Sequence, residues 1–282
     1  MNIKYWLVAV LLIFPIFLNS QTYIKHNQEV WGYWKVEQSP IICEGNVIVP
    51  VDKMLIIDKG VTVIFKSGSD FKRFTNENDK NENFDAGCLI VYGILIARGT
   101  PNSKVKFTAD KEDGQWGGII FVNSRQNEIE NCIIEKTHYI RNFLPQVNVA
   151  GAITFIKSKG FVYNCVIKDA WSGINAQNKS RVKVYNCVLT QNEYAIDVNS
   201  DAHLVAVNTI TWNNKDDFFV SPNCSVIIES CIVQYANDRV VNRGNSHFNK
   251  DPLLNSDFSI TPESIGYKTG KFKRNIGLDN LL

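Results

Sequence analysis

Short apolar runs rich in Val, Ile and Leu, with polar residues alternating between them, recur along the chain and are separated by Asn, Asp, Ser, Gly and Lys. In the second half this pattern takes on a fixed period. Asn131-Cys132, Asn164-Cys165, Asn186-Cys187, Asn208-Thr209 and Ser230-Cys231 follow one another at steps of 33, 22, 22 and 22 residues. In blocks of 22, FVYNCVIKDAWSGINAQNKSRV from Phe161 is followed by KVYNCVLTQNEYAIDVNSDAHL from Lys183. VAVNTITWNNKDDFFVSPNCSV from Val205 and IIESCIVQYANDRVVNRGNSHF from Ile227 complete the set. A fixed period in the low twenties marks a solenoid, whose repeats bury their apolar faces only against their neighbours.

The columns decide which solenoid. The regular Leu pattern of leucine-rich repeats is missing, and the columns are short and β-branched instead. One runs Ile129, Val162, Val184, Ala206, Ile228, and another Ile133, Val166, Val188, Ile210, Ile232. A third runs Ile153, Ile174, Ile196, Phe218, Val240, and two residues on come Phe155, Ala176, Val198, Val220, Asn242. Each block therefore holds three short strands, one coil of an all-β, parallel β-helix, with coils stacked at about 4.8 Å. Upstream, Val47–Val49, Leu55–Ile57 and Val61–Phe65 make one coil. Leu89–Val91, Ile94–Ile96 and Val105–Phe107 make the next, and Gly118–Phe121 starts a third. About eight coils give one domain, a rod on the order of 40 Å long.

Several segments resemble a known family. WGYWKVEQSPIICEGNVIVPVDKMLIIDKGVTVIF, then LIVYGILIARGT, KVKFTAD and WGGIIF, resemble secreted bacterial right-handed β-helix repeat proteins of the pectate-lyase-like fold. The tail FNKDPLLNSDFSITPES resembles their closing segment, so the likeness spans roughly Trp31 to Ser264. The resemblance implies a right-handed helix and an Asn at the tight bend between the second and third strands of each coil. Asn131, Asn164, Asn186 and Asn208 fit that position. Asn tolerates left-handed backbone, and its amide can bond to the same amide one coil away.

The Cys residues that follow (Cys132, Cys165, Cys187, Cys231) read as small buried filler beside Val in the core. A column spreads identical residues along an axis, whereas a metal draws ligands to one point, so no metal is expected. Disulfides need a Cβ–S–S–Cβ twist that in-register side chains rarely have, and whether Cys43 and Cys88 pair stays open. Tyr163 and Tyr185 share a column between inward positions and are expected to face outward and stack, a possible platform for sugar rings.

Enzymes of this fold place their chemistry on the outer face of the first strand. The outward column inferred there is Ile120, Thr154, Asn175, Asp197, Phe219 and Val241, with one charge among them. Lys157, followed 22 residues later by Lys179, resembles the Lys-Ser segment of chondroitinase-B-like and alginate lyases, without their partner Arg. Lys157, Lys179 and Asp197 are thus the candidate catalytic set, and Ca²⁺ would enter only with that lyase alternative. Asp216-Asp217 reads as a solvated turn. Loops at 66–86 and 138–150 should rise beside the first-strand face, with Trp171, Trp212 and Asn175 as further ligand-binding candidates.

Composition changes little. With 45% hydrophobic and 21% charged residues, and a formal net charge of +2, nothing points to nucleic acid or to an anionic membrane surface. The N-terminus adds more: Tyr5 to Leu18 is apolar after Lys4 and ends at Asn19-Ser20, as in a signal peptide. That run is too short for a membrane span, so cleavage is expected near Ser20/Gln21, with a secreted or periplasmic product. The organisation expected is 1–20 signal peptide, 21–40 lead-in, 41–250 β-helix and 251–282 C-terminal cap or tail. The function expected is a monomeric, non-catalytic module binding a polysaccharide or another cell-envelope component, without a cofactor. The alternative is a divergent polysaccharide lyase or glycoside hydrolase acting on acidic polysaccharide.

Overall fold

The structure, a computed structural model, describes residues 21–67, 87–144 and 147–279. The expected signal peptide and most of the 66–86 excursion lie outside the described residues. Each coil lays one strand in each of three parallel sheets. In one coil, Ile119–Val122 joins sheet 1, Asn127–Glu130 joins sheet 2 and Cys132–Glu135 joins sheet 3. Among the described residues the sheets hold eight, nine and ten strands, which makes eight complete coils. The register is the 22-residue one: Val162 pairs with Val184, Val184 with Ala206, and Ala206 with Ile228. Winding begins as early as Thr22–Ile24, within the segment expected as a lead-in. No described helix is long and apolar enough to cross a membrane.

Alternation along each strand sends every second side chain inward. Ile119, Phe121, Ile153, Phe155, Ile174 and Ile196 are fully buried, and the Phe121 and Phe155 rings stack at 4.8 Å. Midway along the rod Trp116 stacks on Phe65 at 4.4 Å and donates from Nε1 to the Glu135 carbonyl at 2.9 Å.

In sheet 3 the inward residues are Cys132 and Ile134, Cys165 and Ile167, and Cys187 and Leu189. The expectation that Val166 and Val188 point into the core is therefore corrected: the column from Ile133 to Ile232 points outward. It is buried all the same, because the chain from Leu254 to Leu278 returns along the outer face of sheet 3. Ile260, Ile276 and Leu278 pack on Val166, Val188, Ile210 and Ile232. The C-terminal segment expected as a cap or tail thus runs as a lateral strap. Sheet 1 is covered likewise: the antiparallel hairpin of Ile140–Leu144 and Val147–Val149 packs on Ile90, Ile120, Val122 and Ile156. In the last turn, Val240, Val241 and Asn242 pair with Val226, Ile227 and Ile228 in sheet 2, so Val241 does not extend the sheet-1 column as expected.

The bends carry polar ladders. Asn131, Asn164, Asn186 and Asn208 all take left-handed φ, between 49° and 53°. Asn164 donates to Asn131 Oδ1 at 2.5 Å, as the amide ladder requires. The two later amides meet the strap instead. Asn186 donates to the Asn275 and Gly277 carbonyls at 3.1 Å, and Asn208 Oδ1 accepts from Lys271 N at 2.6 Å. None of the seven cysteines is in a disulfide, Cys43 and Cys88 included. Cys132 N donates to Cys165 Sγ and Cys165 N to Cys187 Sγ, while Cys187 N donates to Thr209 Oγ1, whose hydroxyl takes the place of a thiol.

A second ladder occupies the bend between sheets 3 and 1. Asn192 Oδ1 accepts from Ala170 N at 3.1 Å, and Asn214 Oδ1 accepts from Asn192 N at 3.1 Å. Asp217 ends that ladder, accepting from Asn214 Nδ2 at 3.1 Å and from Gln234 N at 2.7 Å. It is buried, so only Asp216 of the Asp216-Asp217 pair is solvated as expected. A serine ladder lines the bend between sheets 1 and 2: Ser124 N donates to Ser158 Oγ, and Ser158 N to Ser180 Oγ, both at 3.0 Å.

Candidate functional site

The strap lies on the later coils of sheet 3 and the hairpin covers part of sheet 1, while much of the outer face of sheet 2 stays open. Three columns lie on it in register. One runs Lys159, Arg181, His203, Ser225. The next runs Glu128, Phe161, Lys183, Val205, Ile227, and the third Glu130, Tyr163, Tyr185, Val207, Glu229. The first two columns line an open cleft of about 730 Å³.

The charges in this cleft are unevenly partnered. Arg98 pairs with both Glu128 and Glu130, the latter at 3.3 Å, and so neutralises the acidic end of the face. Glu229 is bound to Lys271 of the strap at 2.8 Å. Lys159, Arg181 and Lys183 make no ion pair among the described residues. His203 Nδ1 lies 2.7 Å from Ser225 Oγ, and the Phe161 ring contacts those of Tyr163 and Tyr185 at 5.8 and 5.4 Å. The two tyrosines are register partners, but their aromatic contact runs through Phe161 and not directly from one to the other. The result is a strip of three cations beside an aromatic group, on a rigid sheet whose coils repeat at about 4.8 Å. Such a strip attracts an elongated polyanion and offers a ring face to stack on.

The candidate catalytic set is not brought together. Lys157 and Lys179 are exposed at the bends between sheets 1 and 2, with φ of 49° and 64°, and so sit on the rim of the cleft two residues before Lys159 and Arg181. Asp197 lies on sheet 1, buried, its carboxylate accepting from Asn199 Nδ2 at 3.1 Å, and ion-pairs with neither lysine. Asn175 is buried as well and accepts from Gln177 Nε2 at 2.9 Å, while Gln177 reaches the hairpin at the Asn148 carbonyl, 2.8 Å away. Trp171 packs against Tyr139 at 5.5 Å, and half-buried Trp212 packs against the strap cluster. Of the expected ligand contacts, Tyr163 and Tyr185 stand on the open flank. The described residues bring no three His, Cys, Asp or Glu side chains together as a metal would need.

Missed from sequence were Lys159, Arg181 and Lys183. Their signal was present, as Lys157-Ser158-Lys159 and Lys179-Ser180-Arg181-Val182-Lys183 stand one repeat apart. What a linear reading lacked was which flank stays uncovered.

Asp197 carries a pH prediction. Burial pushes its carboxyl up to about 6 from an ordinary 3.8, against the hydrogen bonds from Asn199 and Asn175 that pull it down. An acid whose folded pKa lies above its unfolded one keeps its proton more tightly in the native state. Its contribution is therefore most favourable at low pH, and stability falls as pH rises from about 4 through about 6. Asp197→Asn is expected to be more stable than wild type by on the order of 2 kcal/mol at neutral pH and equal to it near pH 4. Urea unfolding at the two pH values checks this, and an equal difference at both would count against it.

Residues 92–251, more than half of the chain, match the family model described as right handed beta helix region. No curated protein and no solved structure matches the chain. Parallel strands wound through three stacked sheets and a family match over most of the coils have one reading: the chain belongs to the right-handed β-helix family.

Proposed function

We propose that this β-helix module acts outside the cytoplasm as a non-catalytic binder of acidic polysaccharide, held along the open face of sheet 2. The observation that carries it is the strip of Lys159, Arg181 and Lys183, without carboxylate partners, beside the Phe161 ring in a cleft that runs with the rod. Lys159 and Arg181, on adjacent coils, stand about 4.8 Å apart, comparable to one pyranose residue of an extended chain. A polyuronate, with one carboxylate per residue, matches that repeat. Exposed positive charge on a fixed scaffold draws such a chain in and lets it go as salt rises.

Binding without turnover is supported by the state of the carboxylates. A glycoside hydrolase of this shape needs two acidic groups free to act as acid and base. Here Glu128 and Glu130 are tied to Arg98, and Asp197 is buried on another sheet. One observation favours a second reading, a divergent lyase: Lys157 and Lys179 stand exposed at the rim of the cationic cleft, where a base would meet a bound uronate.

The test is electrophoresis of the protein through gels containing polygalacturonate, alginate or neutral dextran. Retardation by a polyuronate, lost at high salt, is the expected result. No retardation by either polyuronate, or equal retardation by dextran, would overturn the proposal. Ultraviolet absorbance of an unsaturated product in the same mixtures, lost in Lys157→Ala, would transfer the site to the lyase reading.

A further inference from the structure

We propose that the pocket between sheet 2 and the C-terminal strap is a second subsite of the same groove, taking one pyranose ring of the bound glycan; this rests on the polyuronate reading above. Its sheet wall is Tyr163, Tyr185 and Val207, and its strap wall is Phe272 and Arg274, around a volume of about 310 Å³. The pocket adjoins the cationic cleft. Tyr163 and Tyr185 lie two residues along their strands from Phe161 and Lys183, on the same face, and the Phe161 ring touches both tyrosines.

The strap wall is rigidly built and places an apolar ring in solvent. The turn is closed by Gly270 N donating to the Arg274 carbonyl at 2.9 Å. It is fixed to the rod by Lys271 N on Asn208 Oδ1 at 2.6 Å and by Lys271 Nζ on Glu229 at 2.8 Å. At its apex Phe272 is 83% exposed with φ 62° and ψ 26°, a left-handed conformation that a side chain adopts only at a cost. The Lys271 ammonium lies 5.6 Å from the ring centroid, and the rest of the ring is left to solvent. Strain and exposed apolar surface that coincide at the mouth of a pocket point to a ligand contact. The C–H face of a pyranose ring fits between Phe272 and Tyr185, as aromatic groups hold rings by stacking. Arg274 is anchored through Nη1 to Asp279 at 2.8 Å and to the Tyr163 hydroxyl at 3.3 Å, and its other N–H groups suit a hydroxyl or carboxylate of the same sugar.

The experiment is calorimetric titration of the full chain with an oligogalacturonate, for wild type, Phe272→Ala and Lys273→Ala, with melting temperatures in parallel. Phe272→Ala is expected to weaken binding about tenfold while the salt dependence persists. Its melting temperature should not move, since the ring is exposed, and Lys273→Ala should leave the affinity within about twofold of wild type. Wild-type affinity in Phe272→Ala would overturn the subsite and leave the cationic groove standing. No binding by the wild type would overturn both.

Discussion

Asn164→Ala is expected to unfold with about 4 kcal/mol less free energy than the wild type. The residue is fully buried, at φ 53°. Its Nδ2 donates to Asn131 Oδ1 at 2.5 Å and to the Asp279 carbonyl at 3.1 Å, and its Oδ1 accepts from Asp279 N at 2.7 Å. Truncation strips three buried groups of their partner at once, where one such loss costs about 1–3 kcal/mol. Alanine must also hold left-handed backbone, at about 1–2 kcal/mol. Asn164→Gly separates the two contributions, since glycine relieves the backbone but restores no hydrogen bond. It should recover about 1 kcal/mol of the loss. Denaturant unfolding with linear extrapolation measures both variants. A loss below about 1 kcal/mol in Asn164→Ala would show that neither the ladder nor the end of the strap depends on this amide.

Asn164 also shows where a sequence reading stops. The 22-residue period was legible because each coil repeats the same constraint: one left-handed bend and one small inward residue after it. Which side of each strand faces in was not, because Cys165 and Val166 are both apolar and alternation alone does not choose between them. Val166, Val188, Ile210 and Ile232 looked like core because they are apolar, and they are buried, but by the strap and not by the neighbouring coils. The strap itself has no period to read: from Leu254 to Leu278 its apolar residues are spaced to meet sheet 3, not one another. Sheet 1 misled in the same way. Its outward column was read as a face with two loops rising beside it, whereas the second of them folds as a hairpin onto Ile120 and Ile156 of that column's strands, and Thr154 and Asn175 are buried. Columns follow from a repeat, but the flank that stays open follows from what the non-repeating segments cover. Lys159, Arg181 and Lys183 stand together on a face that neither the hairpin nor the strap covers.

Replacing Lys159, Arg181 and Lys183 together by Ala is expected to weaken polyuronate binding about a hundredfold, at about 1 kcal/mol for each exposed charge contact. The fold should tolerate it. All three side chains point away from the core, none has an ion-pair partner among the described residues to leave behind, and Lys159 and Arg181 are like charges on adjacent coils. The loss should be largest at low ionic strength and shrink as salt rises, because the wild type gives up the same electrostatic attraction to screening. Affinity measured across a salt series therefore distinguishes a cationic groove from a general surface charge. In the wild type it falls steeply with salt, and in the triple variant it stays low and nearly flat, with the aromatic contacts of Phe161, Tyr185 and Phe272 as the residue of binding. Lys157→Ala with Lys179→Ala is the matched control, since it removes two cations from the rim while the cleft keeps all of its own. If that pair costs as much affinity as the triple variant, the ligand lies over the bends between sheets 1 and 2, within reach of the two lysines that a lyase would use. If the triple variant alone loses binding, the polyanion lies on sheet 2, away from Asp197, where the carboxylates that hydrolysis would need are already bound to Arg98.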